Sequence, residues 1–332
     1  MSTPSRAAAA ALAAANLSRA TGAGLDPHEY LRVTGELTDP EQWGEAFTRA
    51  ARGHLARAER AATAISAGEH LQVAARWFHF ATLGPNAERA LAAAEADTAM
   101  GRALGLLEPE ARRIEGPDFA GWLRGPADAA ATAVVVPGLD SSKEEFHDVI
   151  DALLRRGLAV FAMDGPGQGA LATTTTVRAD YHHVIGQVVD ALGVDGVGLV
   201  GLSLGGYYVA ESAAREPRVA AAATVSGPFR LHWDVLPPPV RDLLGQRAGG
   251  EEAARRFAGQ VDLSTLAAQI TCPLLVVDGG QDVIPGVTNG EPLARLARAG
   301  QYVHVPHGDH LLGNARPDWL AVTADWMSGA LT

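Results

Sequence analysis

The chain has 332 residues, of which 47% are apolar and 20% charged. At ~150 residues per domain, that length accommodates roughly two domains, and the composition excludes general disorder. Lys plus Arg number 27 against 38 Asp plus Glu, a net charge of −11. So acidic a chain lacks the basic footprint of a nucleic-acid binder and is repelled by anionic membrane surfaces.

The N-terminal run Ala7–Ala15 contains a single Leu, Leu12. A secretory leader is richer in large apolar residues, so the run reads as a helical tail. No stretch reaches the ~18 apolar residues that span a bilayer. Residues 1 to about 110 contain no convincing strand and are rich in the helix formers Ala, Glu and Arg. Apolar residues recur at helical spacing in Trp43, Ala46, Phe47 and Ala50, and again in Leu71, Ala74, Ala75 and Phe78. A further helix is expected over 87–107, set off by Gly84-Pro85-Asn86. Residues 1–110 therefore read as an all-helical domain, and 111–332 as a second domain.

Residues 111–130 are expected to form an antiparallel hairpin at a sheet edge. From about 130, short apolar strands are expected at 133–136, 159–163, 197–201, 222–226, 274–278 and 302–305. Helices are expected between and after them at 143–155, 179–192, 204–215, 292–299 and 319–331. Continuous apolar strands separated by helices predict an α/β domain with a parallel sheet covered on both faces. The long interval after Ser226 predicts a helical insertion near 228–268, part of a lid. The one cysteine, Cys272, permits neither an internal disulfide nor a cysteine-based zinc site. It reads as a buried structural thiol, compatible with a cytoplasmic setting.

The strongest local signal is Gly201-Leu202-Ser203-Leu204-Gly205-Gly206. It is G-x-S-x-G placed where a strand turns into a helix, the setting in which a serine projects from a sheet edge as a nucleophile. A serine needs a base and the base an orienting acid, in the chain order Ser, acid, His. Three histidines follow near the C-terminus: His304 within a strand, then His307 and His310 beyond it. His310 is the favoured base and His307 the second choice. The acid belongs after the strand 274–278, where Asp278 and Asp282 compete. Asp282, in the loop, is favoured because it is free to curl under the imidazole. An oxyanion hole requires two backbone donors. The N–H of Leu204 is one, and the N–H of Leu139, in the loop Val136-Pro137-Gly138-Leu139, is the other.

Asp164-Gly165-Pro166-Gly167-Gln168-Gly169 lacks the phasing of a nucleotide loop and the lysine of a P-loop, so it reads as a tight structural turn. The pair His182-His183 has no partner at metal-ligand spacing. No metal and no cofactor are expected. Trp77, Phe78, Phe229, Trp233 and Tyr207 are candidate substrate-binding side chains, with core packing as the competing role.

With these residues in place, the chain resembles the α/β-hydrolases. Within them it resembles the group with a helical N-terminal domain that includes dihydroxypseudooxynicotine hydrolase and the fungal chain-shortening hydrolases of naphthopyrone pathways. Residues 137–145, 164–169 and 203–208 carry the likeness. It implies the α/β-hydrolase fold, a mostly parallel central sheet with helices on both faces, plus an N-terminal all-helical cap domain. It also implies a triad of Ser203, Asp282 and His310, with a substrate pocket between the helical domain and the core. Asp234 stands where some members carry a further acid, although His232-Trp233-Asp234 departs from their pattern. The expected reaction is hydrolysis of a ketone-adjacent carbon–carbon bond, or of an ester, in a small apolar or polyketide-like substrate. The alternatives are an acetate-eliminating lyase of tetronate biosynthesis and, last, a non-catalytic ligand receptor. A small molecule is the expected partner, with neither nucleic acid nor membrane, and a homodimer stays open.

Overall fold

The computed structural model describes residues 4–332, which divide into two units between Ala111 and Arg112. Five helices build the first: α1 (Pro4–Gly22), α2 (Pro27–Gly35), α3 (Trp43–Glu59), α4 (Ala64–Ala81) and α5 (Arg89–Leu107). Their starts are written in the sequence. Asp26 accepts the Glu29 N–H at 2.7 Å ahead of Pro27, and Thr63 Oγ1 accepts the Ser66 N–H at 3.1 Å. Both satisfy amides that the first turn leaves unpaired. The centre of this unit is aromatic. Trp43 stacks on Phe47 at 4.0 Å, Phe47 meets Trp77 edge-on at 5.1 Å, and Trp43 Nε1 donates to the Phe80 carbonyl at 2.8 Å.

The second unit opens with the edge hairpin β1 (Arg112–Glu115) and β2 (Ala120–Arg124). The alternation follows as β3 (Thr132–Val136), α6 (His147–Leu154), β4 (Ala159–Asp164), α7 (His182–Leu192), β5 (Val197–Leu202), α8 (Leu204–Arg215) and β6 (Val219–Val225). Next come β7 (Arg230–Leu231), α9 (Pro238–Ala248), α10 (Glu251–Gln260), β8 (Leu274–Gly279) and β9 (Val287–Thr288). The chain ends with α11 (Glu291–Leu296), β10 (Gly300–Val305) and α12 (Arg316–Leu331). Eight strands form one sheet in the order β1-β2-β4-β3-β5-β6-β8-β10, and β7 pairs with β9 in a separate ribbon. Only the β1–β2 and β2–β4 pairings of the large sheet are antiparallel.

Successive residues of a strand face opposite sides of its sheet, which divides this core in two. Val134, Val136, Phe161 and Leu199 pack with residues of α7 and α8. Val135, Ala162 and Val200 pack with residues of α6 and α12. Both faces are therefore dry, which is why β3, β4, β5 and β8 read as unbroken apolar runs. Each fully buried Val or Leu contributes about 1.5–3 kcal/mol.

Two helices begin later than the periodicity predicts. The expected helix at 143–155 starts only at His147, because the Lys143 N–H donates to Asp164 Oδ1 at 2.8 Å and Lys143 Nζ meets Asp164 Oδ2 at 2.6 Å. The helix expected at 179–192 starts at His182, whose N–H donates to Glu211 at 2.8 Å. Cys272 is half-buried rather than sealed in the core. Among the described residues, no helix is long and apolar enough to cross a membrane.

Candidate active site

The carboxyl ends of β5, β6, β8 and β10 deliver the candidate residues to one edge of the sheet, the usual location of a site in an open α/β sheet. Ser203 follows β5 directly and has φ 54° and ψ −128°, a conformation L-residues seldom adopt. Its N–H still donates to the Val225 carbonyl at 2.9 Å, so the β5–β6 ladder holds the backbone up to the turn. The flanking glycines are dictated by sterics. A Cβ at Gly201 would stand 2.1 Å from the Gly205 carbonyl oxygen, and one at Gly205 would stand 2.3 Å from that of Val136. The turn therefore admits only hydrogen at both positions, and α8 starts at Leu204 with its positive dipole end at Ser203.

Ser203 Oγ lies 3.0 Å from His310 Nε2, and His310 Nδ1 lies 3.0 Å from each oxygen of Asp282. Such an imidazole donates its Nδ1–H to the carboxylate, leaving the Nε2 lone pair to accept the serine hydroxyl. The Asp282 side chain is 3% exposed and that of His310 40% exposed, so the acid is shielded while the base is reachable.

The loops beneath are stitched together. The Gln281 N–H donates to the Gly308 carbonyl at 2.9 Å, and the Gly280 N–H to that of Val305 at 2.8 Å. After His310, the backbone runs through positive φ at Leu311 (67°) and Leu312 (49°). Ser226 Oγ accepts the Leu311 N–H at 3.0 Å, and Asn314 closes the loop by donating to the His307 carbonyl at 2.8 Å. Ser226, at the end of β6, has φ 53°.

The competing candidates lie elsewhere. His307 is exposed and faces Asp318 of α12 at 3.2 Å. His304 lies within β10, in register with Asp278. Asp278 is buried at the end of β8, and burial, with the Asp282 charge adding, pushes its carboxyl up to about 6. Asp234 is exposed and ion-paired with Arg255 at 3.1 Å.

Gly138 brings the β3 loop against the nucleophile: a Cβ there would stand 2.9 Å from Ser203 Cβ and 3.2 Å from its Oγ. This contact places the Gly138–Leu139 peptide beside Ser203, where Leu204 opens α8. Of the candidate substrate-binding side chains, Tyr207 is buried, and its hydroxyl donates to the carbonyls of Gln260 at 3.0 Å and Ala179 at 3.2 Å. Phe229 and Trp233 belong to the apolar core on the α8 side of the sheet, and Arg255 lies over the Trp233 ring. Trp77 is buried against Phe47, and Phe78 is buried as well.

Sequence reasoning missed the support behind the β3 loop. The turn 164–169 is more than a tight bend: Gln168 Nε2 donates to the carbonyls of Pro137 at 2.5 Å and Gly138 at 2.9 Å. The available signal was a glutamine flanked by four glycine or proline residues. The pair His182-His183 also has a structural outcome at its first member, since His182 Nδ1 meets Glu211 at 2.7 Å.

Comparisons with known proteins show the family and the fold. The family described as serine aminopeptidase, S33 matches residues 127–250, which include the β3 loop and Ser203. The 2,6-dihydropseudooxynicotine hydrolase of Paenarthrobacter nicotinovorans is 30% identical, over 92% of this chain and 90% of its own. The crystal structure of 2,6-dihydroxy-pseudo-oxynicotine hydrolase superposes with a TM-score of 0.84 at 27% identity, covering 95% of both chains. The 20-hydroxy-prefusarin hydrolase FUS2 of Gibberella moniliformis is 30% identical over 63% of this chain, which spans 58% of that relative.

Proposed function

The chain belongs to the α/β-hydrolase family, and we propose that within it Ser203, His310 and Asp282 act as a nucleophile–base–acid triad on a small carbonyl substrate. The observation that carries this reading is the unbroken run from Ser203 Oγ through His310 to Asp282, with every step at 3.0 Å. Ser203 Oγ attacks the carbonyl carbon while His310 Nε2 takes its proton, and Asp282 holds the imidazole and its developing charge. The N–H groups of Leu139 and Leu204 receive the negative charge on the carbonyl oxygen. Collapse expels an alkoxide from an ester, or an enolate from a ketone-adjacent carbon–carbon bond, and His310 returns the proton to it. A water deprotonated by His310 then releases the acyl group from Ser203 as an acid.

The substrate class proposed is a small apolar or polyketide-like carbonyl compound, and the proposed setting is the cytoplasm. The names of the relatives, a pseudooxynicotine hydrolase and a prefusarin hydrolase, support a small organic substrate. The test is turnover of p-nitrophenyl ester, β-diketone and acyloxy substrates in isotopically labelled water. Hydrolysis places solvent oxygen in the acid product, and Ser203→Ala lowers the rate by at least ~10³-fold. An acid product without solvent oxygen would mean elimination and would contradict this reading.

A further inference from the structure

Gln168 lies outside the proposed triad, yet its side-chain amide is buried and fully engaged. Nε2 donates to the Pro137 and Gly138 carbonyls at 2.5 and 2.9 Å. Oε1 accepts the Gly165 N–H at 2.8 Å and the Tyr181 hydroxyl at 3.0 Å. An amide offers two donors and two acceptor positions, and all four are used. The reverse orientation would set the NH₂ against the Gly165 N–H and the oxygen against two carbonyls, so the network fixes which end is which.

The Gly138 carbonyl shares a peptide plane with the Leu139 N–H. In a trans peptide the two point in opposite directions, and no cis bond interrupts the described chain. Drawing the Gly138 oxygen toward Gln168 therefore turns the Leu139 N–H to the other side. Gly138 itself is in contact range of Ser203. We infer that Gln168 is a positioning residue for the oxyanion hole: it grips the Gly138–Leu139 peptide from behind and holds the Leu139 N–H aimed at the oxygen that becomes charged. Tyr181 and the Gly165 N–H in turn fix Gln168. The main-chain N–H of Lys143 on Asp164 anchors the far end of the same loop. Two residues of one turn thus clamp the strand-to-helix loop at both ends. This assignment rests on the hydrolase reading above.

The test compares wild type with Gln168→Glu and Tyr181→Phe, using p-nitrophenyl acetate as substrate and an aliphatic trifluoromethyl ketone as inhibitor. Gln168→Glu keeps the shape and the acceptor side but sets an oxygen against two carbonyls. The expected result is a fall in kcat of about 10²-fold at nearly constant KM. Inhibition by the trifluoromethyl ketone, which needs the oxyanion donors, weakens in parallel, while the midpoint of the pH–rate profile stays in place. Tyr181→Phe removes one of the two bonds that orient Gln168 and is expected to lower kcat about 3–10-fold with the same signature. It remains informative should Gln168→Glu fail to fold. Wild-type kcat and inhibitor affinity in a folded Gln168→Glu, or in Tyr181→Phe, would overturn the assignment. So would a loss confined to KM. The failure of the hydrolase reading is distinct: there, wild type and Ser203→Ala would turn over the ester equally.

Discussion

Gly138 and Ser203 are in such close contact that a single added methyl group on the first would meet both Cβ and Oγ of the second, at 2.9 and 3.2 Å. The contact couples the end of β3 to the turn after β5. Gly138→Ala must displace either the serine or the loop that carries the Leu139 N–H. The expected outcome is a kcat at least ~10²-fold lower, with a melting temperature within a few degrees of wild type, because the clash is local. Ester hydrolysis and a thermal melt check it together.

Ser203 occupies a backbone conformation that glycine adopts freely and serine only under strain. Strain of this kind costs about 1–3 kcal/mol. Ser203→Gly is therefore expected to be more stable than wild type by about 1 kcal/mol or more, while losing activity. Chemical denaturation of the two proteins measures the difference. A Ser203→Gly variant less stable than wild type would contradict the strain.

Ser226 acts on His310 through its neighbour, since its hydroxyl receives the Leu311 N–H at 3.0 Å. Ser226→Ala leaves a buried amide without that acceptor, at a cost of about 1–3 kcal/mol. It also frees the loop that presents the base. A drop in kcat of about 10-fold is expected, with KM little changed.

Much of the candidate site was legible in the sequence, and the reason is steric. Gly201 and Gly205 are required by contacts of the turn with itself and with β3, so a motif of four or five letters encodes a three-dimensional constraint. The choice of Asp282 over Asp278 and of His310 over His304 followed from which residues lie in loops beyond strand ends. The edge hairpin β1–β2 was likewise readable. The sheet order was not, because local periodicity carries no record of which strand pairs with which. Gln168 escaped for the same reason: its partners Pro137 and Gly138 lie 31 and 30 residues away. The late starts of α6 and α7 share this cause, as Asp164 takes up the Lys143 amide ahead of α6 and Glu211 the His182 amide that opens α7.

Asp278 supplies a pH dependence of stability with a defined sign. Its carboxyl sits at about 6, above the ordinary 3.8, because burial first and the Asp282 charge second disfavour ionisation. The folded state therefore binds this proton more tightly than the unfolded chain does. Its contribution is fully present below about pH 4 and is lost as the pH rises through about 6. Asp278→Asn removes the penalty for ionising a buried acid, so its stability relative to wild type is expected to grow from pH 4 to pH 8, by on the order of 2 kcal/mol. Denaturant titrations at the two pH values check this. A difference that shrinks toward pH 8 would contradict it.

The central claim is that Ser203 is activated by His310. The most direct measurement is the intact-protein mass after exposure to a fluorophosphonate, for wild type, Ser203→Ala and His310→Ala. The account predicts one adduct on wild type, none on Ser203→Ala, and labelling of His310→Ala slowed by ~10³-fold or more. An unlabelled wild type, or an adduct that persists in Ser203→Ala, would contradict it.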